Sequence, residues 1–534
     1  MKKALSVKLF ALFLAALFVC AGAAGCGRGN DGPAPTEQAS LSTDVPVTEP
    51  PATENPVTEI PATEEPAEEM PYKGDGKKYV FTTAEGTTGR LFEEDVVQFA
   101  DDFLDKYNGH PLLTDRETSV GIYNENTLGG SDTELRNMLD PELREEFIRR
   151  INGIILDIPN IDSAETLAMR LAETAAILHD VHSNLFPISR YELPIEVMPI
   201  HTENGYELYI TATPKGELES ALLARIDRIN GFLIEDCVRR IAKLISYESE
   251  TWLYYLALDG RTSKGVYPFI LDCGILQYCG IMKDAAILEV TQPDGSKWTV
   301  TLYPTQRFSY EKVYYRTETG AEESDIGLDL MFSVPRLDLS GHSEPIPSEW
   351  CALLNDHETI YFRFNECTQE PTMPELLMRF DIIMSQVDHV KRIIMDFRCN
   401  GGGYSTLYGY SYEFINKLRE ANAEEGIFVL IDYGSCSAAT ILPSHLIRVL
   451  DNAKLVGSPS AQPTSFFTGL YSTLKNTGYS YAHSKRFGYY WPGNEDPALT
   501  PDIIVYQTFE DLQNGVDTVL KSIIGEAIGG IKPM

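Results

Sequence analysis

Residues 426–450 read GIFVLIDYGSCSAATILPSHLIRVL. The first eight, rich in apolar and β-branched side chains, have the length of a buried strand, and SCSAATILPSHLIRVLDN has the pattern of a helix that follows it. Between them GSCSAAT (434–440) is a strand-to-helix turn that puts Ser437 at a helix start, with free amides and a favourable dipole behind it. Two further buried strands precede it, ETIYFRFNEC (358–367) and VKRIIMDFR (390–398), with helix-length segments between. Strands alternating with helices imply crossover connections, hence an α/β fold with a mostly parallel sheet.

In such a sheet ligands gather at the carboxyl ends of the strands, so DFRCNGGG (396–403) and GSCSAAT should open on one crevice. The glycines at 401–403 let backbone approach a bound group. A serine nucleophile with amides of Gly402 and Ala438 aimed at a tetrahedral oxyanion is one reading of these strings. An N-cap serine beside a glycine turn is another. A phosphate-cradling loop is disfavoured because GGGYST carries no lysine.

Working outward, residues 191–305 alternate like strands in YELYITATP, AAILEVTQ and KWTVTLYP, around ARIDRINGFLIED with its Asn-Gly hairpin turn. Residues 76–190 are patterned mainly as helices: FEEDVVQFADDFLDKY, PELREEFIRRINGII and SAETLAMRLAETAAILHDVHSN, the last capped by Ser163 and running on to His182. Residues 27–75 are a Pro, Thr and Glu tract containing the repeat PVTEPPATENPVTEIPATEEP (46–66), which has little to bury and is expected to form a semi-rigid, disordered stalk. The remaining part, 306–534, holds the strand–helix core.

The first 26 residues carry lysines, an apolar stretch and small residues ending at Cys26, the layout of a secretory signal. AAGC (23–26) resembles a bacterial lipoprotein cleavage box, which implies lipidation of Cys26, anchoring to the membrane's outer face and an extracytoplasmic location. An uncleaved membrane helix is the alternative. Of nine cysteines, Cys20 and Cys26 fall in this segment. The other seven form no CxxC pair, so they read as buried small hydrophobes rather than a disulfide scaffold. The 534 residues carry a formal charge of −34, which repels phosphate backbones and excludes nucleic acid as an expected partner. No cofactor or metal is expected: His179 and His182 at i, i+3 lack a third ligand or HExxH spacing. Oligomeric state leaves no trace in the sequence.

Several of these strings together resemble the serine peptidase family of C-terminal processing peptidases and tricorn core peptidases. DFRCNGGG is similar to its D-L-R-x-N-x-G-G loop and GSCSAAT to its T-A-S-A-S-E nucleophile motif. LVGSPSAQP (455–463) is similar to V-G-E-x-T-x-G-K, ALTPDIIVYQTFEDLQNGVD (498–517) to G-x-x-P-D-x-x-V and its helix, and LHDVHSN to L-x-D-x-H-S/T. The resemblance spans about 85–525 and implies a ClpP/crotonase-like core for 306–534, a PDZ-like module at 191–305, and a peptide or unfolded protein as substrate.

The processing-peptidase branch takes its base from a lysine about 25 residues after the serine; Gln462 stands there. The tricorn branch takes a histidine from the helical segment before the PDZ module, which carried over makes His182 the general base and Glu495 the distant acid. A serine precedes the tricorn histidine where this chain has Val181, so Ser183 or Asp180 is the orienter to look for. His445 lies about 12 Å along the helix from Ser437 at 1.5 Å per residue, out of reach. His483 is the alternative base. The expected function is a lipid-anchored serine peptidase acting through an acyl-enzyme. The alternative is a noncatalytic peptide-binding or adaptor lipoprotein on the same fold, suggested by Thr440 and SPSAQP at motif positions where the family has other residues.

Overall fold

A computed structural model of the chain describes residues 89–123, 131–262, 265–307, 349–354, 357–367, 372–403, 407–491 and 493–528, together with 68–69, 309, 312–315 and 531. The expected signal segment (1–26), with Cys26, and all of the Pro/Thr/Glu tract except Glu68–Glu69 lie outside these residues. Among the described residues no helix is long and apolar enough to cross a membrane. The fold is mixed α/β, with several sheets, some of them parallel.

The strand that precedes the nucleophile turn, Gly426–Ile431, sits inside a six-stranded sheet. It pairs in parallel with Arg392–Asp396 on one side and Ala453–Gly457 on the other. Thr359–Phe364 extends the parallel run, Ile503–Ile504 closes one edge, and Glu349–Leu353 is antiparallel at the other. Every residue of Thr359–Phe364 and Arg392–Asp396 is buried, as expected for strands covered on both faces. Alternate side chains feed two cores: Ile360, Phe362, Ile393, Met395 and Val429 pack under the helices, and Tyr361, Ile394, Leu430 and Val456 pack on the other face with Val519 and Leu520.

The middle of the chain forms an eight-stranded sheet in which Glu68–Glu69 runs parallel to Trp298–Thr299. The Asn-Gly turn is present: Asn230 and Gly231 have φ of 49° and 82° and join Arg225–Ile229 to Phe232–Leu233. Lys312–Tyr314 also belongs to this sheet, beside Gly205–Pro214.

The N-terminal region contains the helices Gly89–Leu104, Pro141–Asp157 and Ala164–Ala176, the last capped by Ser163 Oγ on the Thr166 amide. Two features differ from the sequence expectation. First, a hairpin of Glu117–Tyr123 and Ser131–Asn137 lies in this region and continues a sheet with Ser480–Tyr489 and Ser465–Thr473, strands more than 300 positions away. Its residues lack the helical period and gain their order by pairing at long range. Second, the last helix stops at Ala176, six residues before His182. His179 takes φ of 47° and Asp180 turns its carboxylate onto the His182 amide, so a tight turn replaces the final helical turns. One hydrophobic cluster then runs from Phe99, Phe147 and Leu171 through Ile226 and Trp252 to Cys436 and Ala461, fixing the N-terminal region against the nucleophile turn.

Candidate active site

The two glycine- and serine-containing loops are knitted together. The Cys436 amide donates to the Asn400 carbonyl (3.0 Å), Ser435 Oγ donates to the Phe397 carbonyl (2.9 Å), and Asp432 Oδ1 accepts from the Cys399 and Gly434 amides at 2.8 and 2.9 Å. Beneath them lies a buried charge network with no counterpart in the sequence reading. Asp396 accepts from Tyr361 (2.6 Å), Arg363 (3.1 Å) and Arg398 (2.6 Å), and Arg398 forks onto Asp517 at 2.9 and 3.0 Å. The Asp and Arg of DFRCNGGG are therefore struts, each charge satisfied by the other's neighbours, that hold the loop's start while its glycines approach Ser437.

Ser437 stands immediately before the helix Ala438–Val449 with φ of 55° and ψ of −122°, a conformation rare for a residue with a side chain. Its hydroxyl caps no helix amide, which removes the N-cap reading. The oxygen is instead 3.1 Å from His182 Nε2, across 255 positions of sequence.

His182 is held through its backbone, its Nε2 and one ring face. Asp180 Oδ1 accepts its backbone amide (2.9 Å), and Asp180 Oδ2 accepts from Ser183 Oγ (2.6 Å) and His110 Nε2 (3.1 Å). His110 Nδ1 accepts the Leu112 amide, so Nε2 carries the proton that His110 gives Asp180. The turn is clamped to the strand Ser480–Tyr489 by paired bonds between Asn184 and Ala482 and by the Ser484 amide on Ser183 Oγ. The imidazole lies parallel to the Phe466 ring, centroids 5.4 Å apart. Burial pushes the His182 imidazole below the ordinary histidine range, while the Asp180 carboxylate works against that shift. For Asp180 itself, burial works to raise the carboxyl, but the His110 hydrogen bond and charge, with help from His182 and Ser183, hold it below its ordinary range. Neither Asp180 nor Ser183 acts as the ring orienter that the sequence suggested. Asp180 holds the His182 backbone, and Ser183 spends its proton on Asp180.

Other candidates fall elsewhere. Glu495 is exposed, in a surface loop after the strand Ser480–Tyr489, and its side chain makes no hydrogen bond or ion pair among the described residues, so it is not the acid beside His182. His483 packs on Phe103 and Tyr481, and burial pushes it down to about 4. Gln462, fully buried, accepts the Cys436 thiol on Oε1 at 2.9 Å. The seven cysteines among the described residues are free and buried.

Of the two proposed oxyanion donors, Ala438 opens the helix and its amide has no partner among the described residues. The Gly402 amide differs from the expectation because it already donates to Asn400 Oδ1 at 2.9 Å. Gly402 lines the site through its missing side chain. At its φ of 95° a Cβ would stand 2.5 Å from Ser437 Cβ and 2.7 Å from the Cys436 carbonyl oxygen. Gly402→Ala is therefore expected to lose roughly 1–3 kcal/mol of stability by overpacking, read from urea unfolding, and to displace Ser437.

His110, Phe466 and Asn400 were not legible as site residues. Each acts through a partner distant in sequence, and no local pattern reports that.

No family's sequence profile matches the chain, and no curated protein matches it. Solved structures do. The chain is similar to mature CPAF at 13% identity and TM-score 0.40, over 80% of this chain and 95% of that one. It is similar to the tricorn protease at 11% identity and TM-score 0.36, over 82% of this chain and 36% of that one. It is also similar to a putative peptidase from Parabacteroides merdae ATCC 43184 at 19% identity and TM-score 0.25, over 35% of this chain and 66%, just under two thirds, of that one. The solved structures it resembles thus include peptidases, and the function proposed below rests on the geometry at Ser437.

Proposed function

We propose that the chain is a serine peptidase acting on peptides or unfolded protein segments, and the observation that carries this is the 3.1 Å approach of His182 Nε2 to Ser437 Oγ at a strained strand-to-helix turn. Ser437 Oγ attacks the peptide carbonyl carbon while its proton passes to His182 Nε2. The Ala438 amide and the start of the helix Ala438–Val449 face the resulting oxyanion. His182 returns the proton to the leaving nitrogen as the C–N bond breaks, and the acyl ester on Ser437 is then hydrolysed by water, which gives a proton to His182 and through it to Ser437. Ser437 and His182 are only 1% and 2% exposed, so a substrate reaches them after the covering segments part.

In this reading the six-stranded sheet is the ClpP/crotonase-like core, the middle sheet is a PDZ-like module that takes a substrate chain by strand addition, and a lipid on Cys26 anchors the protein outside the cytoplasm. The test is incubation of the chain with casein and a fluorophosphonate probe, where cleavage and label on Ser437 are expected. The engagement of the Gly402 amide by Asn400 favours a second reading, a noncatalytic peptide-binding lipoprotein, which requires neither cleavage nor label.

The lysine-branch alternative has its own check. Gln462 Oε1 accepts the Cys436 thiol, and an amide cannot take a proton usefully, so Gln462→Ala is expected to keep the labelling rate within about threefold. Loss of labelling would make position 462 part of the machinery.

A further inference from the structure

Glu248 lies on a segment that links the two halves of the site. Ser246 Oγ accepts the Asp180 amide (2.8 Å), and the Ser246 amide donates to Asn184 Oδ1 (3.1 Å). Beyond Glu248, Ser249 Oγ donates to the Ala461 carbonyl (2.5 Å) and Thr251 Oγ1 to the Ser460 carbonyl (2.6 Å). Residue 462, next in line, meets Cys436 beside the nucleophile. The backbone at Glu248 thus runs between residues that bond the 180–184 turn and residues that bond the 460–462 segment, and from that same turn the His182 ring reaches Phe466 and Ser437.

Its chemistry is unexplained by packing. Glu248 Oε2 is sealed from solvent and has no hydrogen-bond partner among the described residues. Burial and the charge of Asp180 push the carboxyl well above its ordinary range, and no basic group is among the charges that act on it. A buried carboxyl oxygen with no donor is costly to bury, and such a group is a functional-site candidate.

We propose that Glu248 is the positioning acid of the Ser437–His182 pair, its carboxyl holding the Nδ1 side of the His182 ring while Nε2 serves Ser437. This deepens the peptidase reading and rests on it. Asp180 is already committed elsewhere: His182's own amide donates to Oδ1, and Ser183 and His110 donate to Oδ2. Glu248 keeps an open oxygen. In acylation one proton moves, from Ser437 Oγ to His182 Nε2, and none passes to Glu248. The imidazolium so formed is the charge that offsets both the burial of Glu248 and its repulsion by Asp180.

The test compares Glu248→Gln, Glu248→Asp and Glu495→Gln in the full chain, with circular dichroism and thermal melting as fold controls. Fluorophosphonate labelling and casein cleavage are expected to fall by about 100-fold or more in Glu248→Gln through kcat with little change in KM, to recover partly in Glu248→Asp, and to persist in Glu495→Gln. A second readout is independent of activity: the far-downfield proton NMR signal that His182→Gln removes, and that is therefore distinct from any signal of His110 on Asp180, should be present in the unaltered chain and in Glu495→Gln and absent in Glu248→Gln. Labelling within threefold in Glu248→Gln, or survival of that signal, overturns the role of Glu248 alone. An unaltered chain that neither labels nor cleaves overturns the peptidase reading, and the NMR comparison still decides whether Glu248 holds His182.

Discussion

Ser437→Ala is expected to abolish fluorophosphonate labelling and to lower casein cleavage by about 10⁶-fold, the scale on which removal of a serine nucleophile acts when its base remains. The fold should survive. Ser437 caps no helix amide, and alanine at φ of 55° carries the same backbone strain as serine, so the substitution removes one oxygen and adds no clash. The measurement is a labelling time course followed by thermal melting of the same sample. Persistent label at another residue, with an unchanged melt, would refute the assignment of Ser437 as the nucleophile.

His182→Gln should have an effect of similar size, about 10⁴ to 10⁶ in the rate of acylation, because glutamine keeps a polar group against Phe466 but cannot take the proton. The pH dependence of the unaltered chain gives a second signature. Burial holds the imidazole below its ordinary value of 6.5, so His182 is neutral and able to accept a proton throughout the neutral range. As pH falls, activity should be lost only on passing through that lowered value, and the labelling rate should be flat from about pH 8 down to about 6.5. An acid limb centred above 7 would mean that another group is the base, or that Asp180's charge outweighs burial. His182→Gln should remove the limb along with the activity.

Part of this site was legible in the chain. The apolar runs at 358–367, 390–398 and 426–433 are continuous because both faces of those strands are covered, and a run of that kind between helices leaves few arrangements other than a parallel sheet. Once the sheet is parallel, the loops at 396–403 and 434–440 must share an edge, and Ser437 and Gly402 meet there. The hairpin at 117–137 was not legible, since its partner strand lies at 480–489 and its sequence has no period of its own. Glu495 was misplaced for a related reason. Motif spacing assigned it a position relative to the Pro-Asp pair, whereas exposure depends on how the loop after residue 489 leaves the sheet.

The amino-acid sequence alone determined the strand–loop–helix units, the shared edge on which the two loops open and the serine at the head of a helix, because these follow from hydrophobic period and chain connectivity. Tertiary structure decided what surrounds that serine. A contact between residues 182 and 437 depends on how the 180–184 turn is clamped by Ala482 and Ser246, and the enclosure of Glu248 Oε2 and the exposure of Glu495 depend on how their segments pack. Burial and side-chain direction at such a junction arise from several segments packing at once, and no window of neighbouring residues encodes them.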